Sequence, residues 1–195
     1  MENKTYHQLT KNEPPTPFLS KTLDIPGLII GNALDLGCGS GNDSIELLKN
    51  NWSVTSIDSS EEGIAFLKEK TKDFNLADIR CVRFEDMELT ENFYDLVYSR
   101  YALSFSQKKD WAIVWNNILN AMKVRGVFSG HIFGVNDDFK NSKKYGEMSL
   151  FDSKQVDELF KDFDILFKNE DEYDAKSRVG QMKHWHVFTV VAKKK

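Results

Sequence analysis

The segment Asp35-Leu36-Gly37-Cys38-Gly39-Ser40-Gly41 sets a carboxylate and three alternate glycines at the end of the apolar run Ala33 to Leu36. Glycines at the carboxyl end of a strand let the backbone turn sharply and meet a ligand with no Cβ in the way. The dinucleotide spacing G-x-G-x-x-G fails in both registers, because Asn42 or Ser44 stands where the third glycine belongs. The spacing is D-x-G-x-G-x-G instead. Asp58 closes a second apolar run about 20 residues beyond the loop, where a carboxylate can accept hydrogen bonds from both hydroxyls of a ribose. The alternative is that Asp58 caps the helix behind Ser59 and Ser60. A nucleoside fits this pattern, and a pyrophosphate is not demanded.

These residues need a frame, and the order of apolar runs supplies one. Strands are expected at Ala33 to Leu36, Val54 to Ile57, Ile79 to Phe84, Phe93 to Ser99 and Val127 to Phe133. Between them lie helical patterns at Ile45 to Lys49, introduced by Asn42, Asp43 and Ser44, at Glu61 to Lys70, and at Trp111 to Met122. Strands joined through helices form right-handed βαβ units and a parallel sheet covered on both faces. After a helix around Val156 to Phe160 the pattern changes: two long β-like runs, from Phe163 and from Trp185, have no helix between them. They predict a hairpin that inserts one antiparallel strand into an otherwise parallel sheet. The polar stretch 1–17, with Pro14, Pro15 and Pro17, predicts an arm or lid, and 18–195 a single domain that opens on a short helix from Phe18 to Leu23. The closing Lys193, Lys194 and Lys195 predict a solvated end.

Composition narrows the classes. The chain has 195 residues, 41% apolar and 29% charged, which fits one globular domain. Its net charge of −4 argues against clamping duplex nucleic acid, whose binding needs clustered cations. Two cysteines, Cys38 and Cys81, form neither a CxxC pair nor a disulfide framework and point to a reducing, cytoplasmic setting without a structural metal. There is no signal-peptide core and no run of ~18 apolar residues, so no membrane partner is expected. The chain is expected to act as a monomer or homodimer.

With the glycine loop, Asp58 and the strand order in place, the sequence resembles the class I S-adenosylmethionine-dependent methyltransferases. ALDLGCGSGNDSIEL is similar to their first motif, IDSS to the acidic second and FYDLVYS to the fourth strand. A narrower likeness lies in YALSF, in GVFSGHIFG followed by Asp137 and Asp138, and in KHWHVFTVVAKK, which resemble the small bacterial methyltransferases of tellurite-resistance type. The likeness runs from about Ala33 onward. It implies a Rossmann-like α/β fold, a seven-stranded and mostly parallel sheet with an antiparallel C-terminal hairpin strand. It implies S-adenosylmethionine as cofactor, its methionine part in the loop of Asp35, Gly37, Cys38, Gly39 and Gly41, and its ribose on Asp58 beside Ser59. The acidic turn after the third strand, through Glu85 or Asp86, would touch adenine; Met87 would pack on the adenine face or fill core. Ser99, ending the fourth strand, completes the cofactor side.

In that architecture the antiparallel last strand begins at the edge where the other strands end. His184 and His186, two apart, share one strand face and could act as a base, bind an anion, orient an acceptor, or simply fill core. Arg100 offers a planar fork of donors and Tyr101 an aromatic wall with a hydroxyl. The expected wall facing the transferred methyl is therefore His184, His186, Arg100 and Tyr101. His131 is expected to be a core histidine, and Cys38 a packing residue. The stretch Ser99-Arg100-Tyr101-Ala102 lacks the N/D-P-P-Y/F motif of enzymes that methylate exocyclic amines of DNA bases, and neither cysteine follows a proline. Methyl transfer to a small molecule or oxyanion is the leading expectation; a non-catalytic nucleoside-binding protein on the same fold is the alternative. A nicotinamide-dependent oxidoreductase suffers from the failed glycine spacing.

Overall fold

A computed structural model describes residues 4–195. Seven strands form one sheet in the order β3-β2-β1-β4-β5-β7-β6. They are β1 (Asn32–Leu36), β2 (Ser53–Asp58), β3 (Ala77–Cys81), β4 (Tyr94–Ser99), β5 (Met122–Phe133), β6 (Phe163–Lys176) and β7 (Met182–Lys194). Strands β1 to β5 pair in parallel, and β7 runs antiparallel to both β5 and β6. The strand order reverses between β1 and β4, so the carboxyl ends of β1, β2 and β4 open a crevice there.

Helices α1 (Tyr6–Thr10) and α2 (Pro17–Leu23) precede the sheet; α3 (Asn42–Lys49), α4 (Glu61–Lys70), α5 (Trp111–Ala121) and α6 (Ser153–Leu159) connect its strands. Local chemistry sets their ends. Ser60 caps α4 by accepting from the Gly63 amide at 3.2 Å, with Glu61 and Glu62 in the first turn and Lys68 and Lys70 in the last, complementing the helix dipole. Asp152 and Gln155 cap α6 reciprocally, both contacts at 2.8 Å. Pro17 begins α2, where its missing amide costs nothing, and Thr16 caps it.

Alternate residues of each strand feed opposite faces. Leu34, Leu36 and Val97 join Trp115, Ile118 and Val156 from α5 and α6 on one side. On the other, Ala33, Val54 and Leu96 meet Leu19 of α2 and Leu47 of α3. Three boundaries differ from expectation. Strand β3 stops at Cys81 because its only partner, β2, ends at Asp58 opposite it, and Phe84 to Asp86 instead form a single tight turn. Polar residues lengthen β6 and β7 beyond their apolar runs, since hairpin pairing satisfies the backbone without burial. Nor is the C-terminus merely solvated: Lys194 Nζ donates to the carbonyls of Leu119 and Met122 at 2.6 and 2.9 Å, closing the end of α5.

Phe128 is fully buried, with ring centroids of Trp115 and Phe160 at 5.6 and 5.1 Å. Phe128→Ala is expected to cost about 3–5 kcal/mol. The change should appear in denaturant unfolding as a lower midpoint at unchanged slope.

Candidate active site

The glycine loop between β1 and α3 is held by contact on two sides. Gly37 and Gly41 have φ of +76° and +78°; a Cβ on Gly37 would lie 2.0 Å from that of Ala102, and one on Gly41 2.1 Å from a Leu67 methyl. Gly39 faces open space, where an added Cβ would meet only the His7 ring at 3.7 Å. Asp58 Oδ2 accepts from the Gly39 amide and Oδ1 from the Ser60 amide, each at 2.8 Å. It therefore caps α4 and tethers the loop at once, and each oxygen keeps a further lone pair.

Asp35 lies behind the loop, buried. Ser44 donates to its Oδ2 at 2.5 Å, and Ser56 donates in turn to Ser44 at 2.9 Å. Burial pushes the Asp35 carboxyl up to about 7, the Ser44 hydrogen bond opposing and the charges of Asp43 and Asp58 adding to the rise. Burial likewise raises the Cys38 thiol, which suits packing and not nucleophilic attack.

The arm before β1 covers this loop; residues 1–3 lie outside the described residues. Thr5 and Gln8 donate to Glu62 of α4 at 2.7 and 2.9 Å, Ser40 donates to the His7 carbonyl, and Asn42 donates to the Thr10 carbonyl at 2.8 Å. His7 lies against Gly39 and Gly63, its Nδ1 shielded and unpartnered. Thr16 donates its amide to Asp43 at 2.7 Å, and the Tyr98 hydroxyl donates to the same carboxylate at 3.0 Å. Burial and Asp43 hold the Tyr98 phenol far above its usual range.

Beneath the arm lies a cavity of about 1390 Å³. Asp35, Gly37, Cys38, Gly39, Asp58 and Ser59 line one half, with Glu85, which is ion-paired to Arg83. Arg100 and Tyr101 line the other half. Four cofactor-side expectations fall elsewhere: Gly41 is not among the lining residues and packs against Leu67. Asp86 faces a separate hollow beside Arg80. Met87 is core: the turn at Phe84 returns the chain inward, leaving it 4% exposed. Ser99 is buried and donates to the Leu36 carbonyl at 3.0 Å, joining β4 to β1.

The histidine wall is corrected. Strand β7 begins at the cavity edge, but Lys183 and Trp185 line the cavity while His184 and His186 take the opposite face. His184 lies 2.9 Å from Asp174 and 3.0 Å from Glu172, and these carboxylates raise its pKa. His186 approaches Glu170 at 2.9 Å and accepts from the Asn136 amide at 3.1 Å. The strand was placed correctly and its parity reversed. Alternation alone cannot fix parity when both faces carry polar and aromatic residues.

His131 is stacked on Tyr101 at a centroid distance of 4.2 Å and meets the tilted Phe18 ring at 4.4 Å. Burial, reinforced by Arg100, pushes it down to about 3, so it is neutral at physiological pH. Tyr101 adopts φ of +51°, uncommon for a bulky residue, and its phenol is pushed up to about 12 by burial and by Tyr173. It remains a donor at neutral pH.

Sequence reasoning missed Lys183 and its partner Asp137. Lys183 Nζ pairs with the fully buried Asp137 carboxylate, which also accepts from the Phe139 amide at 2.9 Å and the His186 amide at 3.2 Å. The centroids of Trp185, Phe139 and Phe133 lie 3.8, 4.1 and 5.3 Å from that ammonium. The available signal was a lysine two residues before Trp185 and an aspartate three residues after GVFSGHIFG.

This fold, glycine loop and Asp58 define a class. Residues 34–128 match a family model described as a methyltransferase domain. The match and the fold are those of class I S-adenosylmethionine-dependent methyltransferases, and the chain resembles the tellurite-resistance type. It is 26% identical over 164 residues, 83% of this chain and 57% of the relative, to the Haemophilus influenzae protein named "Probable S-adenosyl-L-methionine-dependent methyltransferase TehB". The crystal structure of TehB from Haemophilus influenzae superposes with a TM-score of 0.75 at 23% identity, covering 91% of this chain and 61% of that one. A carboxy-S-adenosyl-L-methionine synthase of Helicobacter pylori is 27% identical over 130 residues, 59% of this chain and 53% of the relative. The N1-methyltransferase of Burkholderia thailandensis with bound 1,6-didemethyltoxoflavin and S-adenosylhomocysteine has a TM-score of 0.61 at 16% identity, covering 84% of this chain and 71% of that one. The chain spans 57% or less of the length of these two curated relatives.

Asp35 generates a pH test. The folded chain holds its proton to about pH 7, whereas the unfolded value is 3.8. The native state therefore binds more protons between those values, and this stability, full below the unfolded pKa, is lost as pH rises through 7. Asp35→Asn is expected to flatten that decline in thermal melts taken across the same range. An unchanged slope would assign the decline to other groups.

Proposed function

We propose that the protein transfers a methyl group from S-adenosylmethionine by in-line displacement to a small anionic acceptor, an oxyanion or a deprotonated small molecule. The observation that carries this reading is the change of charge across one cavity. Around the glycine loop the lining carboxylates are Asp43, Asp58 and Glu85, the last paired to Arg83, whereas among the other lining residues the cations Arg100, Lys144, Lys176, Arg178 and Lys183 outnumber the acids Glu13 and Asp138, although the chain as a whole is acidic. The cofactor supplies a methyl on a sulfonium, which already carries a good leaving group.

The residues present suit that cofactor. The approach at Gly39, where only the His7 ring lies near, leaves room for backbone contact, and the free lone pairs of Asp58 suit ribose hydroxyls. Glu85 is the turn carboxylate that borders the cavity and thus the one to meet adenine. On the far side, Arg100 and Tyr101 donate to and orient the acceptor, so catalysis rests on positioning. Neither the neutral, stacked His131 nor the outward pair His184 and His186 serves as base there, which favours acceptors that arrive without a proton to lose. The arm with α1 acts as a lid that keeps water from the reacting groups. The free thiols of Cys38 and Cys81 suit a cytoplasmic protein.

Calorimetry tests the cofactor: S-adenosylmethionine is expected to bind and NADH not. Asp58→Ala should weaken binding by ~1.5–3 kcal/mol, the value of hydrogen bonds to a charged acceptor. Turnover to S-adenosylhomocysteine with a panel of oxyanions, thiolates and amines tests the chemistry. Binding without turnover on any of them would return the chain to a nucleoside-binding role. Deleting residues 1–13 should raise the acceptor's Michaelis constant while the domain stays folded; an unchanged constant would make the arm structural only.

A further inference from the structure

Lys183 lines the cavity yet is only 8% exposed, and its surroundings are unusual for a lysine. Its ammonium lies within 3.8, 4.1 and 5.3 Å of the ring centroids of Trp185, Phe139 and Phe133. Three aromatic faces around one cation form the arrangement by which proteins recognise ammonium ligands. Here the chain fills the cage itself. Asp137 anchors the lysine, and Nζ also donates to the His184 carbonyl at 3.3 Å. Asp137 is fixed in turn by the amides of Phe139 and His186, so the pair is seated by both segments it joins. All three rings and Lys183 border the acceptor half of the cavity.

We propose that Lys183 is a specificity-determining residue, an internal cation that occupies an aromatic cage and so excludes ammonium acceptors from a pocket otherwise shaped to take them. The proposal rests on the acceptor half assigned above. An incoming ammonium would have to displace a lysine held by a buried carboxylate, and would meet like charge from Lys183. An anionic or neutral acceptor meets neither obstacle. The aromatic wall thus discriminates by charge, while shape is left to the surrounding rings.

The test uses tetramethylammonium, a cation that fits an aromatic cage and cannot be methylated, titrated by calorimetry or ligand-observed NMR without cofactor. Wild type is expected to show no saturable binding. Lys183→Ala should bind it at least about tenfold more tightly, as expected of cation–π contact in a desolvated site. Lys183→Arg should restore the exclusion. Because Lys183→Ala leaves Asp137 buried and unpaired, a second variant, Lys183→Met with Asp137→Asn, removes both charges and is expected to show the same gain. S-adenosylhomocysteine affinity, measured separately, reports that each variant is folded. Equal binding by wild type and variants, or no binding by the folded double variant, would overturn the proposal. Failure of wild type to bind S-adenosylhomocysteine would instead overturn the methyltransferase reading and leave the tetramethylammonium comparison intact.

Discussion

The close approach of the glycine loop to its neighbours is the constraint on which the rest of the site depends. With 2.0 Å between a notional Cβ at Gly37 and the Cβ of Ala102, and 2.1 Å between one at Gly41 and Leu67, no side chain fits at either position. The loop is thereby wedged between the turn after β4 and helix α4, and Asp58 ties its middle to the end of β2. Three strand ends are brought together by these contacts. The turn carrying Arg100 and Tyr101 is placed by the same wedge, since Ala102 follows directly. A loop held this way presents Gly39 to the cavity without the mobility that its glycines would otherwise allow.

Polar groups buried around the loop reinforce the same geometry. The chain from Ser56 through Ser44 to Asp35 fixes the start of α3 against β1 and β2. The arm adds a second layer, for Asp43 receives both Thr16 and Tyr98, and Glu62 receives Thr5 and Gln8. The arm thus rests on groups that already belong to the loop and the helices behind it. Glycine loop and arm form one hydrogen-bonded unit.

The far half of the cavity is organised around a different interaction, the buried pair of Lys183 and Asp137. Such a pair is weak evidence for stability, because desolvation offsets most of its attraction, but losing one partner costs about 3–5 kcal/mol. Its worth here is geometric. It joins the segment after β5 to the beginning of β7 and sets Trp185 and Phe139 about one point. Across the sheet, His184 and His186 pair with Glu170, Glu172 and Asp174, so they hold the hairpin to itself.

The sequence by itself determined the strand order and most of the helices, though not α1 within the arm, and made the glycine loop and Asp58 legible. Apolar periodicity placed α4 at Glu61 to Lys70, located every strand, and reserved the one antiparallel strand for the hairpin. The loop spacing and Asp58 were legible because they lie close in sequence, where strand and helix geometry are local properties. The residues that differ depend on longer range. Met87 and Ser99 lie next to cavity residues in sequence, but packing and a hydrogen bond to Leu36 turn them inward. Which face of β7 meets the cavity was decided by pairing with β5 and β6 and by the acidic side chains β6 offers to the histidines. A one-residue change of parity exchanges His184 and His186 for Lys183 and Trp185, and only tertiary packing, which buries Asp137 beneath Lys183, selects between them.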